Sequence, residues 1–188
     1  MASQPRPLLS PEEYLAIERQ AEHKSEYLDG EAVAMAGATY AHNLIVANVV
    51  GALWGKLRGT PCAVVPSDLK VQATTKLYYP DATVVCGEPR FLDAAQDVLL
   101  NPTLIVEVLS EGTKNFDRGE KFMRYRMVES LVDYVLIAQG EPHVEHYRRQ
   151  EDLWVLAETR DPEGRVALES IGCELELAEI YDRVGLTT

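Results

Sequence analysis

Three ionisable residues set among apolar ones carry the chemistry this sequence can offer. Glu107 stands inside Thr103-Leu104-Ile105-Val106-Glu107-Val108-Leu109-Ser110, a run that predicts a strand buried on both faces. A carboxylate in such a place is costly unless it is neutralised, paired or bound to a metal. Asp81 follows Pro80 and opens a second run of the same kind, Ala82-Thr83-Val84-Val85-Cys86. Side chains alternate along a strand, so Ile105, Glu107 and Leu109 share one face. If the two strands pair in the right register, Asp81 and Glu107 converge on one spot. Oxygen ligands converging in this way suit Mg2+, which takes one or two carboxylates together with waters and phosphates. The competing reading is a strand-end Glu paired to a Lys or Arg, which for an acid taken alone is the commoner arrangement. The third residue is Lys121. Asp117, Lys121 and Tyr125 stand at i, i+4 and i+8, on one face of an expected helix from Arg118 to about Val128. That helix directly follows the Glu107 strand, so its start lies near the strand's C-terminal end and Lys121 can reach the acids. Read without that context, the trio is an ordinary surface ion pair with an aromatic neighbour.

The elements that must position these residues belong to a chain of 188 residues with 46% apolar composition, enough for one domain (1–188) with a sizeable core. The formal net charge of -12 excludes a generic nucleic-acid coat protein, which works by neutralising phosphates. It leaves a nuclease open, because metal sites require carboxylates and a local basic patch can suffice. Arg118, Arg124 and Arg126 share the lysine's helix and are placed to supply such a patch. The three cysteines, Cys62, Cys86 and Cys173, show no C-x-x-C spacing, so neither a zinc site nor a disulfide framework is expected. That usage fits a reducing, cytoplasmic setting. No apolar run approaches the ~18 residues of a membrane span, and the first residues lack an apolar signal core. No membrane partner is expected.

Along the chain, Ser10-Pro11-Glu12-Glu13 is a capping box with Pro at the first helical position, predicting a helix to about Gln20. Glu26 to Met35 predicts two strands around Asp29-Gly30. Thr39 to Arg58 predicts a longer helix whose stripe is Ile45, Val46, Val49, Val50, Leu53, Trp54 and Leu57. His42 falls on that stripe in the first turn. There it is either a core histidine bonded to backbone, the commoner case, or a side chain aimed at the carboxylates. Leu69, Val71 and Ala73 alternate with Lys70 and Gln72, predicting a half-exposed strand with Lys70 and Gln72 outward. Residues 88–102 predict a connection with one helical turn. Tyr134 to Ile137 predicts another buried strand, followed by antiparallel strands at 144–148, 154–158, 166–170 and 173–177. The fold class expected is α+β, helices against a mixed sheet.

Taken together, Glu26-Tyr27-Leu28-Asp29-Gly30, His42, Tyr79-Pro80-Asp81, Pro102 to Ser110, Asp117 to Tyr125, Asp133 to Ile137 and Tyr147-Arg148 resemble the Uma-two family of restriction-endonuclease-like proteins, within the PD-(D/E)XK nuclease superfamily. The resemblance covers nearly the whole chain. It implies a restriction-endonuclease-like core with a mixed β-sheet flanked by helices and antiparallel C-terminal strands added. It also implies a Mg2+- or Mn2+-dependent endonuclease acting on nucleic acid, DNA first, with a homodimer among its assemblies. On that reading Asp81, Glu107 and the Val108 carbonyl hold the metal. Lys121 and Glu26 join them in catalysis, and His42, Tyr125 and Asp117 line the site. The superfamily's lysine lies two residues after the second acid, where this chain has Leu109. The family pattern moves it to the following helix, which favours Lys121 over Lys114. A protein that keeps the fold with a degenerate site, acting by binding or regulation, is the alternative.

Overall fold

The computed structural model describes residues 8–186. Helix α1 (Pro11–Glu18) starts at the capping box: the Ser10 hydroxyl accepts the Glu13 N–H at 3.2 Å, and Glu13 accepts the Ser10 N–H at 2.7 Å. Strands β1 (Ser25–Leu28) and β2 (Glu31–Ala34) form a hairpin. Its Gly30 has φ 96°, and a Cβ there would lie 2.8 Å from Leu8 Cβ, so the turn requires glycine on two counts. Helix α2 (Tyr40–Lys56) begins where the Thr39 hydroxyl accepts the His42 N–H at 3.1 Å.

Then come β3 (Cys62–Pro66), β4 (Lys70–Ala73), β5 (Lys76–Tyr78), β6 (Ala82–Cys86), β7 (Val98–Leu99) and β8 (Leu104–Leu109). The expected third helix is broken into α3 (Lys114–Phe116), a π-helical turn (Asp117–Lys121) and α4 (Phe122–Tyr125). Strands β9 (Asp133–Ala138), β10 (Val144–Gln150) and β11 (Leu153–Thr159) follow. The chain ends with β12 (Arg165–Leu168), a 3-10 turn, β13 (Cys173–Glu176) and α5 (Leu177–Ile180).

Six strands form the central mixed sheet, in the order β11-β10-β9-β8-β6-β3, with β8 and β9 parallel and the other pairs antiparallel. The alternation of β8 splits its residues between the two faces. Leu104, Val106 and Val108 join Ile45, Val49 and Leu53 of α2 on one side, whereas Ile105 and Leu109 join Tyr78, Tyr125, Tyr134 and Leu136 on the other. A separate five-stranded sheet, β2-β1-β5-β4-β7, and the pair β12-β13 complete the structure.

Several expectations need correction. The mixed sheet is not the only one: the N-terminal hairpin pairs with β5 through Tyr27 and Leu77 rather than joining the centre. Lys70 is buried, because Asp97 lies 3.0 Å from its ammonium and the Tyr79 ring lies under it. Alternation alone had placed it outward. Trp54 is 62% exposed, since α2 turns only Ile45, Val49, Leu53 and its neighbour Leu57 fully inward. The 88–102 connection holds β7 and a bridge from Phe91 to Leu99 in place of a helical turn. Cys62 and Cys86, 24 residues apart, are disulfide-bonded, because the β3–β6 register puts them directly opposite each other. Their spacing in the chain gave no sign of it.

Candidate active site

The β6–β8 register fixes the two acids. Ala82 pairs with Val106, so continuing the antiparallel ladder by one residue sets Asp81 opposite Glu107 on the same face. Asp81 immediately precedes β6 and continues its hydrogen bonding through the side chain. Its Oδ2 accepts the Val108 N–H at 2.7 Å, and its Oδ1 lies 2.9 Å from His42 Nε2. A strand residue sends its N–H and C=O to the same side, so the Val108 carbonyl also faces the β6 side where Asp81 stands. His42 is therefore held by the site rather than by backbone alone, from the first turn of α2.

Glu107 is buried, with its side chain 5% exposed. Lys121 Nζ lies 2.8 Å from its Oε1, and the Tyr125 hydroxyl donates to the same oxygen at 3.3 Å. Both contacts fall on Oε1, which leaves Oε2 for a further ligand. Lys121 also lies 3.4 Å from Glu26 Oε1 and 3.8 Å from Asp117 Oδ1, with the Tyr78 ring centroid 5.5 Å away. Glu26 is aimed by the Tyr79 N–H, which donates to it at 3.1 Å. The Tyr134 hydroxyl donates to the Asp117 carbonyl at 3.0 Å, fastening the π-helical turn to the sheet.

The electrostatics follow from burial. Desolvation pushes the Glu107 carboxyl well above its ordinary value, against the pull of Lys121. Asp117 is raised for the same reason. Burial pulls the Lys121 ammonium down, but the charges of Glu107, Glu26 and Asp117 outweigh it and hold the group charged. Glu26, Glu107 and Asp117 thus surround a single ammonium, and Asp81 adds a fourth carboxylate across from Glu107. This excess of carboxylates over cations suits a hard divalent ion, for which oxygen donors are the natural ligands.

The structure brings Glu26, His42, Asp81, Glu107, Asp117, Lys121 and Tyr125 to one place. It leaves Lys114 out: that side chain pairs with exposed Glu111 at 2.8 Å. Leu109, where the superfamily has lysine, is buried on the Glu107 face. Arg118 is engaged elsewhere, donating from Nε to Glu145 Oε1 at 2.8 Å. Sequence reasoning missed the Tyr79 amide, the Tyr78 ring and the Tyr134 hydroxyl. Their only signal was the tyrosine-rich approach Tyr78-Tyr79-Pro80-Asp81 and the buried run that opens at Tyr134.

A mixed sheet that carries two facing carboxylates on adjacent central strands, with a buried lysine delivered by the next helix, defines a nuclease-like architecture of the restriction-endonuclease type. The crystal structure of "a putative nuclease belonging to DUF820" from Anabaena variabilis superposes with a TM-score of 0.75 at 19% identity, over 94% of this chain and 98% of that one. Residues 11–179 match the family model described as "Uma2: Putative restriction endonuclease", and the chain belongs to that family. It is similar to two proteins of Synechocystis sp. The first, sll1609, is 37% identical over 154 residues, 80% of this chain and 87% of that protein. The second, slr1290, is 36% identical over 181 residues, 95% and 94% respectively. Among the described residues no helix is long and apolar enough to cross a membrane.

Proposed function

We propose that this protein is a Mg2+-dependent endonuclease, with Mn2+ as a substitute, that hydrolyses phosphodiester bonds in DNA. The observation that carries the reading is Lys121 Nζ at 2.8 Å from Glu107, one residue beyond the Ala82–Val106 pair that aligns its strand with Asp81. Asp81 Oδ1, Glu107 Oε2 and the Val108 carbonyl are the oxygens that would hold the ion. When bound, the ion supplies Lewis-acid stabilisation of phosphoryl charge and a bound water of lowered pKa. The chain's own residues do the rest. Glu26, Glu107 and Asp117 keep Lys121 protonated and fix its ammonium beside the acids, where it donates to the attacking water or to charge developing on phosphate. His42 holds Asp81 Oδ1, and the Val108 N–H holds Oδ2, so that carboxylate is set before substrate arrives. Arg124 and Arg126, which follow Lys121 in and just after α4, are the cations offered for the DNA backbone.

The test measures Mg2+- or Mn2+-dependent cleavage of single-stranded, duplex and branched DNA, with RNA in parallel. Asp81→Ala and Glu107→Ala should each abolish both cleavage and calorimetric Mg2+ binding. Lys121→Ala should lower turnover by ~100-fold or more with metal affinity little changed, the pattern of a group that acts in the transition state. Lys114→Ala should cleave like the wild type. Equal turnover in wild type and Lys121→Ala would refute the lysine's role. Cleavage of RNA alone would move the substrate, and no cleavage of any substrate would leave a binding or regulatory protein on a nuclease fold.

A further inference from the structure

We infer that the protein carries a second metal site, separate from the carboxylates around Lys121, in which His143, Glu145 and Glu158 bind a first-row divalent ion, Zn2+ before Mn2+. One donor atom from each of the three lies within 4.8 Å of the others. His143 is 6% exposed, and its Nε2 is buried with no hydrogen-bond partner. A buried ring nitrogen left without a partner is rare in a native structure and calls for a ligand. The unpaired atom points into the cluster, 3.5 Å from Glu158 Oε1. Donors at the 2.0–2.2 Å Zn–N and Zn–O distances of a tetrahedral site stand about 3.3–3.6 Å apart. The His143–Glu158 spacing is therefore already that of a ligand pair, and small rotations of exposed Glu158 close the remainder.

The surroundings are those of a ligand set. The His143 backbone is clamped: its N–H donates to the Tyr181 hydroxyl at 3.1 Å, and its carbonyl accepts the Ala138 N–H at 3.0 Å. Glu141 Oε1 lies 4.0 Å from Nδ1, where a metal-bound imidazole needs an acceptor for its other N–H. Arg118 directs both of its hydrogen bonds at Glu145 Oε1, so Oε2, which receives only a 3.3 Å bond from Tyr147, is the oxygen free to ligate. One imidazole and two carboxylates prefer Zn2+ or Mn2+ over Mg2+, whose shell is oxygen alone. Exposed Glu158 gives the ion a way in.

The site cannot be the second ion of a two-metal centre. Glu107 pairs with Leu136, Leu136 with Glu145, and Glu145 with Glu158, so the four residues form one row across β8, β9, β10 and β11. At the usual strand spacing Glu145 lies about 10 Å from Glu107, whereas paired catalytic ions sit about 4 Å apart.

The experiment titrates chelator-stripped full-length protein with Zn2+ in excess Mg2+, by calorimetry and by metal analysis after dialysis. The expected result is one Zn2+ per chain in the wild type, retained in Asp81→Ala and in Cys173→Ser. Binding should fall by ~100-fold or more in Glu158→Gln and His143→Gln, and by about 10–100-fold in Arg118→Met, which loses only the carboxylate's support. Glu158 is exposed, so its variant folds even if the His143 variant does not, and circular dichroism checks both. Co2+ loading adds an independent readout, a visible d–d band that Glu158→Gln abolishes. The site is overturned if no Zn2+ binds in excess Mg2+, if binding survives both ligand variants, or if Asp81→Ala removes it.

Discussion

The two faces of the six-stranded sheet are built from the same strands yet obey different rules. On the α2 face, Leu104, Val106, Val108, Val135 and Ile137 meet Ile45, Val49 and Leu53 in purely apolar contact. On the other face, one residue over in each strand, Glu107 sits among Ile105, Leu109, Leu136 and three tyrosines, and a lysine is sunk beside it. The first face gains stability from every atom removed from water. The second gives some of it up, since a buried ion pair barely recovers the desolvation of its members. A strand that alternates faces can therefore hold a rigid wall on one side and a polar, costly site on the other, and the wall is what lets the site exist.

The sharpest way to break this contrast is to weaken the wall. Leu53→Ala, at a position with no exposure, should cost about 2–5 kcal/mol in denaturant unfolding. Mg2+ affinity of the remaining folded fraction should be unchanged. A loss of metal binding in step with stability would mean that the two faces are not separable. The next effect concerns pH. Because the folded-state pKa of Glu107 is raised, its carboxyl keeps a proton that the unfolded chain has released. The associated stability is full below the unfolded value and is lost as pH rises through the folded one. In chelator, Glu107 should therefore contribute a fall in stability with rising pH of up to about 1.4 kcal/mol per pH unit. Glu107→Gln should flatten that fall while leaving the fold intact or tighter. A wild-type profile that falls no more steeply than that of Glu107→Gln would overturn the assignment. The smallest effect is expected at the surface: Lys114→Ala breaks an exposed pair with Glu111 and should change stability by less than about 0.5 kcal/mol.

The same contrast explains what could be read in advance. Glu107 was legible because a charge inside an apolar run violates the local pattern, and Asp81 because Pro80 and a second apolar run flank it. Their meeting depended on a register that the sequence does not state, but the shared periodicity of both strands made it testable. Lys121 was legible as a helix position four residues from each of Asp117 and Tyr125, on a helix that follows the Glu107 strand, and from the family pattern. Lys70, Trp54 and the Cys62–Cys86 bond were misread because each depends on a partner far along the chain: Asp97 and the Tyr79 ring for Lys70, the limits of the α2 contact for Trp54, and the β3–β6 register for the cysteines. The His143, Glu145 and Glu158 group was hidden for a similar reason. His143 and Glu145 alternate as any strand edge does, and Glu158 arrives only through the pairing of β10 with β11.

The π-helical turn has a consequence for how this chain can tolerate changes in length. A turn of this kind holds one residue more than an α-helical turn, so the direction of Lys121 depends on how many residues lie between Ser110 and Tyr125 as well as on which they are. Removing one of them, Gly119 for instance, would restore α-helical winding and bring Lys121 one position nearer to Asp117, from i, i+4 to i, i+3. The two would still share a face, but Lys121 would shift from the position in which its ammonium meets Glu107 at 2.8 Å, although every side chain of the site would still be present. The loop at Asp161-Pro162-Glu163-Gly164 lies between strand ends at the surface and carries no such constraint on its length. Insertions and deletions should thus be absorbed at the one place and displace the lysine of the site at the other.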